Sequence, residues 1–166
     1  RTRFQMASSF VLALPDKWQS PRLGASSATL HALALTRVDP DLARGQLESL
    51  LNADRVKGAL YTSVMDDPYE ISLHAWATLL MYRLQRSHHS QRSVLFLRYA
   101  FDLLRTREVT GAWAGLHAQS MFEIAVELAL LDPRYEQAVI ALYPRFVSVL
   151  RENGMSNPKE MSIGLA

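Results

Sequence analysis

Cysteine is absent from the 166 residues, which excludes disulfides, thiolate metal sites and cysteine nucleophiles while leaving the redox compartment open. No run approaches the about 18 uninterrupted apolar residues of a membrane-spanning helix, so no membrane association is expected. Charge of one sign is also scarce: 18 Lys and Arg against 16 Asp and Glu leave +2. The basic residues are scattered and form no RNA- or DNA-binding motif, which argues against a nucleic-acid partner. Glycines do not build a phosphate cradle, since Gly111 and Gly115 stand without a third, and no Gly-x-Ser-x-Gly elbow occurs. No cofactor is expected. His88-His89 is a Ser-flanked pair with neither the i,i+4 spacing of helical zinc ligands nor a third ligand nearby, so no metal is expected. Arg1-Thr-Arg and the apolar run Phe4–Leu14 imitate a signal peptide, but Gln5, Ser8 and Ser9 interrupt the run. No small-residue cleavage site follows.

What is present is an apolar chain: 49% hydrophobic and 20% charged residues exclude a disordered polymer and suit one domain. The periodicity is helical throughout, and no period-two segment is long enough for a sheet. The expected fold is all-α: antiparallel helical hairpins in one domain over 1–166, with helix pairs at about 24–52, 69–105 and 112–151 and a frayed tail over 152–166. Val38-Asp39-Pro40-Asp41 and Leu131-Asp132-Pro133-Arg134 are matching stop-and-restart signals, with Asp capping the next helix and Pro in its first turn. The helix from Gln91 to Arg105 reads as apolar nearly all round, through Val94, Leu95, Phe96, Leu97, Tyr99, Ala100, Phe101, Leu103 and Leu104. Its surplus apolar surface would be closed by a homodimer. Pro144 is expected to kink or loosen the last helix.

An ordered set of motifs runs along the chain. These are Leu14-Pro-Asp-Lys-Trp18 with Pro21, His31, Val38-Asp-Pro-Asp-Leu-Ala43 and Gln46-Leu47. Leu73-His-Ala-Trp-Ala77, Ala112-Trp113, Met121, Glu123–Ala129, Asp132-Pro133 and Tyr135-Glu136 follow. In this order they resemble the microbial relatives of glycoside hydrolase family 63, allied to processing α-glucosidases and mannosylglycerate hydrolases. The resemblance implies part of an (α/α)6 toroid of six helical hairpins, and a carbohydrate ligand of the α-linked glucoside or mannoside class. It also departs from the family. Ser26 and Ser27 stand where the family carries a Trp-Asp pair, and Thr62-Ser63-Val64 where it carries a carboxylate. A long acidic, glycine-rich insertion is reduced to Thr106–Gly111. The resemblance therefore implies a glycosidase-like scaffold with doubtful catalysis. The alternative is a non-enzymatic helical scaffold or protein-interaction domain.

Hydrolysis of a glycoside needs two carboxyl groups flanking the scissile bond. The candidates for that work are Asp66, Asp67 and Glu70, although Asp66-Asp67-Pro68 equally forms a helix start. Candidate sugar contacts are Asp16, Trp18, His74, Trp76 and Trp113, because sugar rings stack on flat aromatic faces. Each has a plainer role available. Asp16 suits a turn, Trp76 lies on a core stripe, and His31 and His74 fit as hydrogen-bonded interior histidines. Trp113 opens a helix after Gly111, where either role fits. Glu123 and Glu127, four residues apart, read as a solvated face.

Overall fold

The computed structural model describes residues 25–52, 68–85 and 91–152. Among the described residues there are six α-helices: α1 (Ala25–Leu35), α2 (Pro40–Asn52), α3 (Pro68–Leu84), α4 (Gln91–Leu104), α5 (Ala114–Leu131) and α6 (Glu136–Glu152). Short 3-10 turns at Gly111–Trp113 and Pro133–Tyr135 lead into the last two. No strand occurs among the described residues, and the fold is all-α.

Hydrogen bonds and ion pairs between helices fix their directions. Thr29 meets His74 near the starts of α1 and α3, and Gln85, just past α3, reaches the carbonyl of Pro40, just past α1. Ser72 near the start of α3 bonds the carbonyl of Trp113 before α5, whereas Arg83 near its end bridges to Glu123 and Glu127. Helices α1, α3 and α5 therefore run parallel. Arg92 at the start of α4 approaches Asp41 at the start of α2, and Tyr99 further along α4 bonds Asn52 at the end of α2. Those two also run parallel, opposite in direction to the odd helices, since Ser93 at the start of α4 bonds Gln85 at the end of α3. Helix α6 reverses along α5, its Phe146 stacked on Phe122 and its Arg145 bonded to the carbonyl of Val109.

The sequence explains these two rows. The buried residues of α4 are Ser93, Phe96, Leu97, Ala100, Phe101 and Leu104, a one-faced stripe at i, i+3, i+4, i+7, i+8 and i+11. Helix α2 is built the same way, burying Ala43, Leu47, Leu50 and Leu51 beside the stems of Arg44 and Gln46. Helix α3, by contrast, is buried from Ser72 to Tyr82 apart from half-buried Trp76 and Leu80, because it packs on α1, α2, α4 and α5 at once. Alanines at Ala28, Ala32, Ala43, Ala75, Ala77, Ala100 and Ala125 lie within the shared core and let the helix backbones approach closely.

Both Asp-Pro junctions fold as helix starts. An Asp39 carboxylate oxygen accepts from the Leu42 N–H at 2.9 Å, and one from Asp132 accepts from the Arg134 N–H at 3.1 Å, each satisfying an amide that a helix start leaves open. Setting Pro133 on Pro40 places Ala125 on Ala32, Glu136 on Ala43, Ile140 on Leu47 and Tyr143 on Leu50. The first and third hairpins thus carry the same junction at equivalent positions.

Two expectations are corrected. Helix α4 is not apolar all round: Phe96 and Phe101 are buried and Gln91, Arg92 and Asp102 are exposed, which leaves Leu95 as its exposed large apolar side chain. Glu123 and Glu127 are not a solvated face, since both pair with Arg83 and Glu127 is buried. Helix α6 runs unbroken from Glu136 to Glu152 with Pro144 inside it, on its exposed side.

Candidate functional site

The starts of the three odd helices gather polar and aromatic side chains at one end of the array. Thr29 on α1 contributes Oγ1 at 3.2 Å from Nε2 of His74 on α3, both fully buried. Ser72, one turn into α3, donates to the Trp113 carbonyl at 3.1 Å and so ties the 3-10 turn before α5 to α3. Gly111 begins that turn with φ +72°, a backbone state that a Cβ disfavours. The turn leaves Trp113 41% exposed at the head of α5. One helical turn further on, His117 is buried, and its Nδ1 has no hydrogen-bond partner among the described residues. Burial, reinforced by the nearby positive charge of Arg145, lowers its pKa from 6.5 to about 4, so the imidazole is neutral at pH 7.

The candidates named from sequence separate. His74 and Trp113 belong to this end, His74 as an interior group bonded to Thr29 and Trp113 as an exposed aromatic. Trp76 is half-buried and packs against the core. His31 on α1 is half-buried, and its Nδ1 has no hydrogen-bond partner among the described residues. Glu70 lies in the first turn of α3, and its side chain is outside the described set. Asp16, Trp18, Asp66 and Asp67 lie outside the described residues, as do Ser63 and His88-His89. Ser26 and Ser27 open α1, half-buried and exposed respectively.

Sequence reasoning missed a charged cluster between α3 and α5. Arg83 Nη1 lies 2.7 Å from Glu123 Oε2, and its Nε lies 3.1 Å from Glu127 Oε1. Gln119 donates to the other Glu123 oxygen at 2.8 Å. The i,i+4 spacing was visible, but the cation that joins the two acids lies 40 or more positions away, where no local pattern points to it. Two carboxylates on one helix face, sharing one guanidinium, brace the α3–α5 contact. They do not flank a substrate bond from opposite sides, as a hydrolytic pair must.

A cleft of about 430 Å³ lies between α2 and α4, lined by Asp41, Arg44, Gly45, Glu48, Arg92, Leu95, Phe96 and Tyr99. Arg44 is held at its rim by Asp41 at 2.6 Å. Its two acids and two bases balance, giving no field for a charged ligand. Among the described residues, no group of three or more His, Asp or Glu side chains could hold a metal ion. No described helix is long and apolar enough to cross a membrane.

Comparison with known proteins adds one relative. The chain is 25% identical over 101 residues to the uncharacterized protein YMR196W of Saccharomyces cerevisiae, a match covering 57% of this chain and 9% of that protein. It thus corresponds to less than a tenth of that relative's length. No family model and no solved structure matches it.

Proposed function

We propose that the chain is a helical scaffold of the glycoside hydrolase family 63-like type, without hydrolytic activity of its own. The observation that carries this reading is the alternation of a parallel row, α1, α3 and α5, with a reversed row, α2, α4 and α6. A toroid of helical hairpins repeats the same alternation. The lack of hydrolysis rests on the acids: Ser26 and Ser27 replace a carboxylate-bearing segment, and Glu123 and Glu127 on α5 are engaged by Arg83. Incubation with α-glucosides and with mannosylglycerate is expected to release no product. Turnover abolished by Asp66→Asn, Asp67→Asn or Glu70→Gln would overturn the reading and make those acids catalytic.

A narrower reading adds sugar binding, and exposed Trp113 at the head of α5 favours it. Millimolar disaccharide should then perturb tryptophan fluorescence, and Trp113→Ala should reduce the response. An unchanged spectrum at high sugar concentration would leave the scaffold reading alone.

A further inference from the structure

Helix α6 carries an unusual outer stripe. Glu136, Ile140, Tyr143, Val147 and Arg151 recur at i, i+4, i+7, i+11 and i+15, one face of a helix. Ile140 is 63% and Tyr143 54% exposed, Tyr143 with its ring centroid 5.9 Å from that of Phe122 on α5 and Val147 half-buried, and Glu136 and Arg151 are exposed at the two ends. Neither end charge has an ion-pair partner among the described residues. The same stripe in the first hairpin is Ala43, Leu47 and Leu50, all buried, because α3 and α4 pack on α2 there. Among the described residues, α5 and the preceding 3-10 turn are what pack closely along α6. The face is therefore built like a helix-receiving surface.

We infer that a second copy of this chain covers it, α6 pairing antiparallel with α6 about a twofold axis beside Tyr143 and Pro144. That axis lies midway along the stripe, so the apolar and charged positions become self-complementary. Glu136 falls opposite Arg151 of the second copy, Ile140 opposite Val147, and Tyr143 against Pro144. Acid at one end and base at the other give attraction at both rims only in the antiparallel sense. A parallel pairing sets Glu136 on Glu136 and Arg151 on Arg151. An isologous contact of this kind closes at two subunits. A single helix pair belongs to the small, transient interfaces below about 1,200 Å² in total, so the dimer forms in the micromolar range rather than the nanomolar. This inference is independent of the glycosidase-like reading.

Sedimentation velocity from about 5 to about 500 µM, a window suited to a weak interface, tests it in low salt. The wild-type chain is expected to pass from monomer to dimer, with dimer formation weakened as salt screens the rim charges. Ile140→Asp should weaken association at least tenfold while leaving the helical circular dichroism unchanged, since that side chain is 63% exposed. Glu136→Arg should weaken it several-fold by setting bases against bases, and Glu136→Arg combined with Arg151→Glu should restore it. The two positions are about 22 Å apart along one helix, so the rescue cannot occur within a single chain. A monomer throughout the range, a dimer indifferent to Ile140→Asp, or larger assemblies from head-to-tail contact would each overturn the inference. Failure of the double reversal to restore association would do the same.

Discussion

The equivalence of the first and third hairpins makes a quantitative prediction from two substitutions of similar chemistry. Leu47 and Ile140 occupy the same position after their Asp-Pro junctions, yet Leu47 is 0% and Ile140 63% exposed. Leu47→Ala removes a fully buried side chain. The lost transfer free energy and the cavity left between α2 and its neighbours together come to about 3 kcal/mol, within the usual 2–5 for such sites. Ile140→Ala removes a side chain only about a third buried, so the transfer loss is about 0.5–1 kcal/mol. No enclosed cavity forms, and alanine's better helix propensity returns about 0.4 kcal/mol. The net effect is expected within about 0.5 kcal/mol of zero. Urea unfolding followed by circular dichroism at low protein concentration, where any association is negligible, measures both. Equal costs at the two sites would refute the reasoning: either the hairpins are not equivalent, or the last one is covered within the monomer.

Other consequences follow from charge and burial. His117 has a folded pKa of about 4 against 6.5 unfolded, so the unfolded chain binds its proton first. Its contribution is fully present above pH 6.5 and is lost as pH falls toward 4, by up to about 3 kcal/mol. His117→Leu should flatten the stability profile in that window, and NMR titration of the imidazole should place its midpoint well below 6. Arg83→Met should destabilise by about 1–2 kcal/mol, less than for a wholly buried pair because the Arg83 side chain is partly exposed. Arg83→Met combined with Glu127→Gln should cost less than the sum of the single changes if the contact is direct. Asp132 is held at a pKa of about 2, chiefly by the side-chain hydrogen bonds from Arg134. Its stabilising effect is therefore present above about pH 4 and lost as pH falls through 2, and Asp132→Asn should remove that acid-range slope.

The helices were readable because their signals are local. Asp39-Pro40 and Asp132-Pro133 each announce a helix start within four residues, and the structure shows the carboxylate–amide bonds that such starts use. The repeat of that signal also foretold the equivalence of the two hairpins. Layer assignment was harder. Helix α4 looked uniformly apolar because Val94, Leu95, Tyr99 and Leu103 fill the gaps in its stripe. Ser93, polar by composition, is buried through its bond to Gln85 instead. A count of apolar letters weights Leu95 like Phe96, although one is exposed and the other buried.

The candidate site was less readable because its organising contacts are distant in sequence. Thr29 and His74, Ser72 and Trp113, and Arg83 and Glu127 are each separated by 40 or more positions, a spacing that mirrors one hairpin step along the parallel row. Each pair joins one odd helix to the next, so none could be foreseen before the helices were ordered in space. The same logic bears on the acids. An i,i+4 pair such as Glu123 and Glu127 has one appearance in sequence whether it faces water, a substrate or a guanidinium. Here the deciding fact is that Arg83 ends up one hairpin step away, on a helix running the same way as α5. Parallel direction brings the C-terminal half of α3 beside the C-terminal half of α5. An antiparallel α3 would have carried Arg83 toward Trp113 and left both glutamates to solvent. Helix direction, rather than local composition, therefore determines which charges become structural.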